Sequence, residues 1–297
     1  MYGYPSLKGG RRGGNLTHMA IFLALFSSLL WGSSDFEGGR LAKRLPAIAV
    51  TGVSQAIGLL FGLIIVVGTG QWRAPAFGDH GYFFPGLIAG IAGYLGLVFL
   101  YAGLASGRMG VVSPISSLSA IIPVTVALLA GEHVSYLKGV GIAVALIGAF
   151  CASGPEVSQG LPLRPVLLAM GAAIGFGTAL TFIAKGSVSS ALMTAVMMRV
   201  TTLIVSGFVV LKYRNFGGVQ KSDLPKLIYV GMADFSANVL LGIASTRGLV
   251  SIVMVLGSLF PIMTAVLAFK ILNERLHRVQ YAGIFLAVVG VAIISGA

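Results

Sequence analysis

Long apolar stretches, separated by short clusters of basic and turn-forming residues, run the length of the chain. Intervals free of Asp, Glu, Lys and Arg are Gly13–Ser34, Leu45–Trp72, His80–Gly107, Met109–Gly131, Gly139–Pro155 and Pro165–Ala184. Four more follow: Gly186–Leu211 (broken only by Arg199), Leu227–Thr246 (broken only by Asp234), Gly248–Phe269 and Val279–Ala297. Crossing a hydrocarbon core of ~30 Å takes roughly 17–25 helical residues. Each interval therefore fits one crossing and none fits two. The runs are continuous, without the in–out alternation of a lipid-facing strand, so helices are expected and a barrel is not. The pattern predicts an all-α membrane protein with ten transmembrane helices.

Lys8, Arg11 and Arg12 ahead of Ile21–Leu30 imitate a secretory leader. No small-x-small cleavage site precedes a polar mature domain, however, so the segment reads as helix 1. Met1–Gly14, glycine-rich and basic, reads as a disordered tail on the membrane surface.

Composition supports this picture. Only 9% of the residues are charged, against about 25% in a soluble domain, too few to cover a water-facing surface. The net charge of +12 is spread over short loops; no basic patch points to nucleic acid, and interfacial Lys and Arg account for the excess. The single Cys151 excludes a disulfide framework and a cysteine-based metal site. No metal, cofactor or catalytic motif is found: His-Glu-x-x-His, an aspartate-rich diphosphate motif, a Walker A loop and Gly-x-Ser-x-Gly are all missing. An enzyme is not expected.

The chain is internally duplicated. Gly110–Ser113 matches Gly248–Ser251 at an offset of 138, a register kept through Leu118/Leu256, Pro123/Pro261, Ala127/Ala265 and Leu129/Leu267. It then jumps by four, pairing Glu132 with Glu274, Gly141 with Gly283 and Gly148 with Gly290. Five helices per copy is an odd number, so the second copy enters from the opposite side and the repeats are inverted. The organisation predicted is a tail (1–18), repeat 1 (19–153), a linker (154–164) and repeat 2 (165–296). The jump makes helix 4 one turn shorter than helix 9.

Trp31–Gly32–Ser33–Ser34–Asp35–Phe36 resembles the Trp-Gly entry motif of the drug/metabolite transporter superfamily, EamA type. Pro123…Gly131–Glu132 and Pro261…Asn273–Glu274, each before a glycine-punctuated final helix, resemble that family's repeat ending. The resemblance spans roughly residues 19–296. It implies a ten-helix, 5+5 carrier, usually exporting amino acids, metabolites or toxic compounds, in a cell membrane such as the bacterial inner membrane. The chain departs from the common pattern in the missing turn of copy 1 and in Gln55, which sits in helix 2 near where Arg199 sits in helix 7.

Ionisable groups at membrane depth cost roughly 2.5–3.5 kcal/mol each on insertion scales and call for a reason. Asp234 and Asn238 share a face of helix 8, either presenting a carboxylate and an amide to cargo or protons, or fixing helix packing. Arg199 either pairs with Asp234 or binds a cargo carboxylate, unless it snorkels. Asp35, with Glu37, Arg40, Lys43 and Arg44, reads as an interfacial ion cluster or as a cation gate beside Trp31, itself a belt anchor or a cargo contact. Tyr94 and Tyr101, a heptad apart, line a cavity or pack. Pro123 and Pro261 kink or interrupt helices 4 and 9, while Pro114 reads as a first-turn residue. Glu132 and Glu274 read as caps or interfacial partners, the alternative being a transport role. The pairs Gly58/Gly62, Gly86/Gly90, Gly103/Gly107 and Gly171/Gly175 let helices approach closely, within the bundle or between the protomers of a homodimer.

The function expected is a secondary-active exporter of small molecules, alternating access around a midplane site, with proton coupling open. A facilitative importer is the alternative; a channel or a structural protein fits less well. Seven Lys and Arg lie on the side of the termini and twelve on the other. That count puts the termini outside; the resemblance and the basic tail before helix 1 put them in the cytoplasm, the orientation preferred.

Overall fold

A computed structural model describes residues 11–78, 80–105, 109–154, 163–213, 218–272 and 277–297. Among them there is no strand. The helices are α1 (Arg11–Ala42), α2 (Ala47–Thr69), α3 (Phe83–Ala105), α4 (Met109–Ser117), α5 (Ile121–Leu129) and α6 (Tyr136–Ala152). Then come α7 (Leu163–Tyr213), α8 (Leu224–Ser245), α9 (Val250–Gly257), α10 (Phe260–Leu272) and α11 (Arg278–Gly296). Eight helical stretches are long and apolar enough to cross a membrane, with Val112–Leu129 and Val250–Ile271 each counted as one. The tally differs from the ten expected for two reasons: α6 has only 17 residues, and α7 runs to 51.

α7 folds back on itself. Ser190, at φ −165° and ψ 115°, is the non-helical residue within it. Its hydroxyl accepts from Met193 N–H at 3.2 Å, which caps the second limb, and Arg73 donates to Ser189 O at 2.8 Å, pinning the bend. Along α3, Gly93 and Gly96 face Ala179 and Phe176, whereas Gly86 and Gly90 face Met197 and Met198. The first limb (163–189) is therefore antiparallel to α3 and the second (191–213) parallel to it. Lys185, read as the break between two helices, lies inside the first limb, and the turn comes five residues later.

α8 repeats this arrangement. It runs antiparallel to α1, where Ser27 donates to Ala237 O at 2.8 Å and Ser34 to Val230 O at 3.3 Å. Against α2 it runs parallel, Gly58 facing Gly231 and Gly62 facing Phe235. The last helices of the two copies, α6 and α11, are antiparallel: Gly141 meets Ile294, Ala145 meets Gly290, Gly148 meets Ala287 and Ala152 meets Gly283. Every one of these pairs maps onto another when the copies are exchanged. The Gly58, Gly62, Gly86, Gly90, Gly171 and Gly175 positions all pack within the chain.

Copy equivalence extends to a broken helix. A 3₁₀ turn at Leu118–Ala120 separates α4 from α5, and Ser258–Leu259 separates α9 from α10. Each break precedes a proline, Pro123 or Pro261, which has no N–H to donate to the carbonyl four residues earlier. α10 has 13 residues and α5 only 9, the turn that the register jump implied. Pro114 is a correction: it lies in the interior of α4, five residues beyond its start, and not in the first turn.

Large apolar side chains point outward along the bundle, among them Phe22, Leu60, Val67, Ile147, Phe208 and Phe285. Lipid solvates such a surface; water does not. α8 is mostly buried and α11 mostly exposed, so α8 is central and α11 faces the acyl chains.

Candidate functional site

The central position of α8 puts Asp234, 6% exposed, where four helical segments converge. Gly231 and Gly58 allow this: a side chain at either would strike the facing backbone. One carboxylate oxygen of Asp234 accepts from Trp31 Nε1 of α1 at 2.9 Å and from Asn238 Nδ2 at 3.2 Å. The other accepts from Gln55 Nε2 of α2 at 2.7 Å and from an Arg199 terminal nitrogen, on the second limb of α7, at 2.9 Å. Arg199 is itself 2% exposed and lies over the Phe235 ring at 5.7 Å. Asp234 and Arg199 thus form a buried ion pair, and three neutral donors complete the carboxylate's shell.

A cavity of about 60 Å³, continuous with the exterior, opens beside this network. Asp234, Asn238, Arg199, Trp31, Asp35 and Tyr94 all line it. Gly32 brings Trp31 there, since a Cβ at Gly32 would run into Met263 and the Phe260 carbonyl of α10. Tyr101 does not line it: it is 1% exposed, packed with Leu100, Leu104 and Val112, its hydroxyl against Gly38.

Asp35 departs from the interfacial reading. α1 continues two turns past it to Ala42, and Asp35 is 6% exposed, with no hydrogen-bond or ion-pair partner among the described residues. The interfacial ions are others: Glu37 pairs with Arg40 at 2.8 Å, and Arg44 pairs with Asp223.

Glu132 caps a helix of the other copy. Its carboxylate accepts from Val250 N–H at 2.8 Å and Ser251 N–H at 3.0 Å, and from the Ser251 hydroxyl. A negative charge on the first-turn amides of α9 satisfies orphan donors and suits the helix dipole. Its counterpart Glu274 lies outside the described residues. So does Gly107.

Sequence reasoning passed over three lining groups. Gln55 was noted only as a departure from the family pattern, although an amide in the middle of an apolar span was signal enough. Ser119 and Ser258 sit at the two helix breaks and both line the cavity. Among the described residues no cluster of three His, Cys, Asp or Glu could hold a metal.

No curated protein sequence matches the chain. A solved structure described only as "Crystal structure of protein" superposes at a TM-score of 0.70, with 17% identity over 96% of each chain, and shares the fold. The EamA-like transporter family model matches twice, over residues 18–154 and 163–296, nearly the whole length and once per repeat. The chain belongs to the EamA-like transporter family, within the drug/metabolite transporter superfamily, and is a multi-pass membrane protein.

Proposed function

We propose that the protein is a gradient-driven carrier that exports small solutes by alternating access around the Asp234 cavity, through ten crossings arranged as two inverted repeats (19–153 and 165–296). Counting the limbs of α7 separately, α6 as a short crossing, and α4–α5 and α9–α10 as one each supports the ten. The antiparallel, reciprocal packing of α6 on α11 supports the inversion.

One observation carries the reading: equivalent helices of the two copies are both broken just ahead of the paired prolines Pro123 and Pro261, and both breaks, at Ser119 and Ser258, face one cavity. Backbone that leaves the helix inside a bilayer is tolerated where it lines a cavity, and broken helices at a repeat interface are how transporters build midplane sites. The chain's family favours export over the facilitative import alternative. A plasma-membrane location, with the termini in the cytoplasm, follows the same resemblance.

The test is solute flux in proteoliposomes. A carrier saturates and shows counterflow, whereas linear flux without counterflow would mean a channel and overturn the proposal. Single cysteines placed in successive loops of a Cys151→Ala background should label from alternate sides; two successive loops on one side would refute ten crossings.

A further inference from the structure

We infer that the cavity takes a monovalent organic cation with an aromatic body, its ammonium seated against Asp35; this rests on the carrier reading and names its cargo class. Charge arithmetic comes first. The lining holds two carboxylates, Asp35 and Asp234, and one guanidinium, Arg199. Arg199 and Asp234 neutralise each other at 2.9 Å, and Trp31, Gln55 and Asn238 fill the remaining acceptor sites of Asp234. Asp35 alone is left uncompensated.

An unpaired carboxylate in a low-dielectric cavity is costly, so it holds either a proton or a counter-cation. A monovalent cation brings the lining to neutrality. A zwitterion leaves it one negative charge in excess, and an anion leaves two. Arg199 is poorly placed to recruit an anion: its buried, unpartnered Nε faces Gly58 of α2, 3.2 Å from where a Cβ would stand.

The rest of the lining selects the cargo's body. Trp31 lies one turn before Asp35 on the same face of α1, and Tyr94, Phe176 and Phe260 add three more rings, the last two edge-to-face at 6.3 Å. Aromatic faces attract ammonium groups and give an aromatic body its packing surface.

Three probes share one body and differ in charge: phenethylamine (cation), phenylalanine (zwitterion) and phenylacetate (anion). Binding to the purified protein is read by calorimetry, and counterflow in proteoliposomes is measured separately. Phenethylamine is expected to bind saturably and at least tenfold more tightly than either other probe, with Asp35→Asn losing tenfold or more. Phenylalanine or phenylacetate binding as tightly as phenethylamine would overturn the assignment, as would undiminished affinity in a folded Asp35→Asn protein. The comparison among probes uses the unaltered protein, so misfolding of the variant leaves the test intact. Binding of phenethylamine without counterflow would sustain the cation site and sink the carrier; counterflow of phenylalanine or phenylacetate alone would do the reverse.

Discussion

Breaking the Asp234–Arg199 pair from either side should destabilise the protein unequally. Both side chains are buried, at 8% and 3% exposure, so solvent does not screen their attraction. Removing one partner of such a pair costs about 3–5 kcal/mol, because the other is left charged and unmatched. Arg199→Met leaves Asp234 with three donors, from Trp31, Gln55 and Asn238, which soften the loss to about 3 kcal/mol. Asp234→Asn is worse. Arg199 then has no other hydrogen-bond acceptor among the described residues, and the new amide turns its own N–H groups toward donors. The cost should approach about 5 kcal/mol. At roughly 2–4 °C per kcal/mol, the melting temperature in detergent falls ~6–12 °C for Arg199→Met and ~10–20 °C for Asp234→Asn. The double variant should melt above Asp234→Asn, since no bare guanidinium remains. Equal single effects, or a double variant as damaged as the sum of the singles, would refute the account.

Three further outcomes can be checked by the same melting measurement. Glu132→Ala, which strips the cap from α9, should cost about 1–3 kcal/mol, and Glu132→Gln less because one oxygen still accepts. Gly148→Ala and Gly290→Ala press a methyl toward the Cα of Ala287 or Ala145, to 2.7 and 2.8 Å, and should each cost about 1–3 kcal/mol, matched within about 1 kcal/mol if the α6–α11 contact is symmetric. Trp31→Phe keeps a ring in the cavity but deletes one donor to Asp234, for a loss of about 1–2 kcal/mol.

Element type was legible because apolar runs of helical length admit few other structures in lipid, and the duplication because Gly, Pro and Glu recur in order. Helix ends were harder. Charges served as punctuation, and at Lys185 and Asp35 that rule failed, because an ionisable residue inside a helix looks in one dimension like one that ends it. The true bend uses a serine cap at Ser190, which the neighbouring Ser187 and Ser189 camouflage. Tyr94 and Tyr101 share a face by spacing, yet stand about 10 Å apart along the axis, so one reaches the cavity and the other packs. Glu132 reads as a cap, but its helix lies 118 residues away in the other copy, and only the fold brings them together.

The symmetric and asymmetric features of the bundle divide by task. Packing surfaces and helix breaks come in exchangeable pairs: Gly141 with Gly283, Gly148 with Gly290, and the break ahead of Pro123 with the break ahead of Pro261. On the proposed mechanism this has an energetic reason. Two access states can lie within a few kcal/mol of each other only if each makes nearly the contacts the other makes, and exchange of equivalent repeats guarantees that without fine tuning. The ions obey no such pairing. Gln55 sits in copy 1 where Arg199 sits in copy 2, so the one guanidinium answers Asp234 and the second carboxylate, Asp35, is left without a counter-charge. A symmetric second arginine would cancel that deficit and with it any preference for a cation. On the proposed mechanism the cavity holds one sign of cargo in both states because its lining departs from the symmetry that its scaffold keeps.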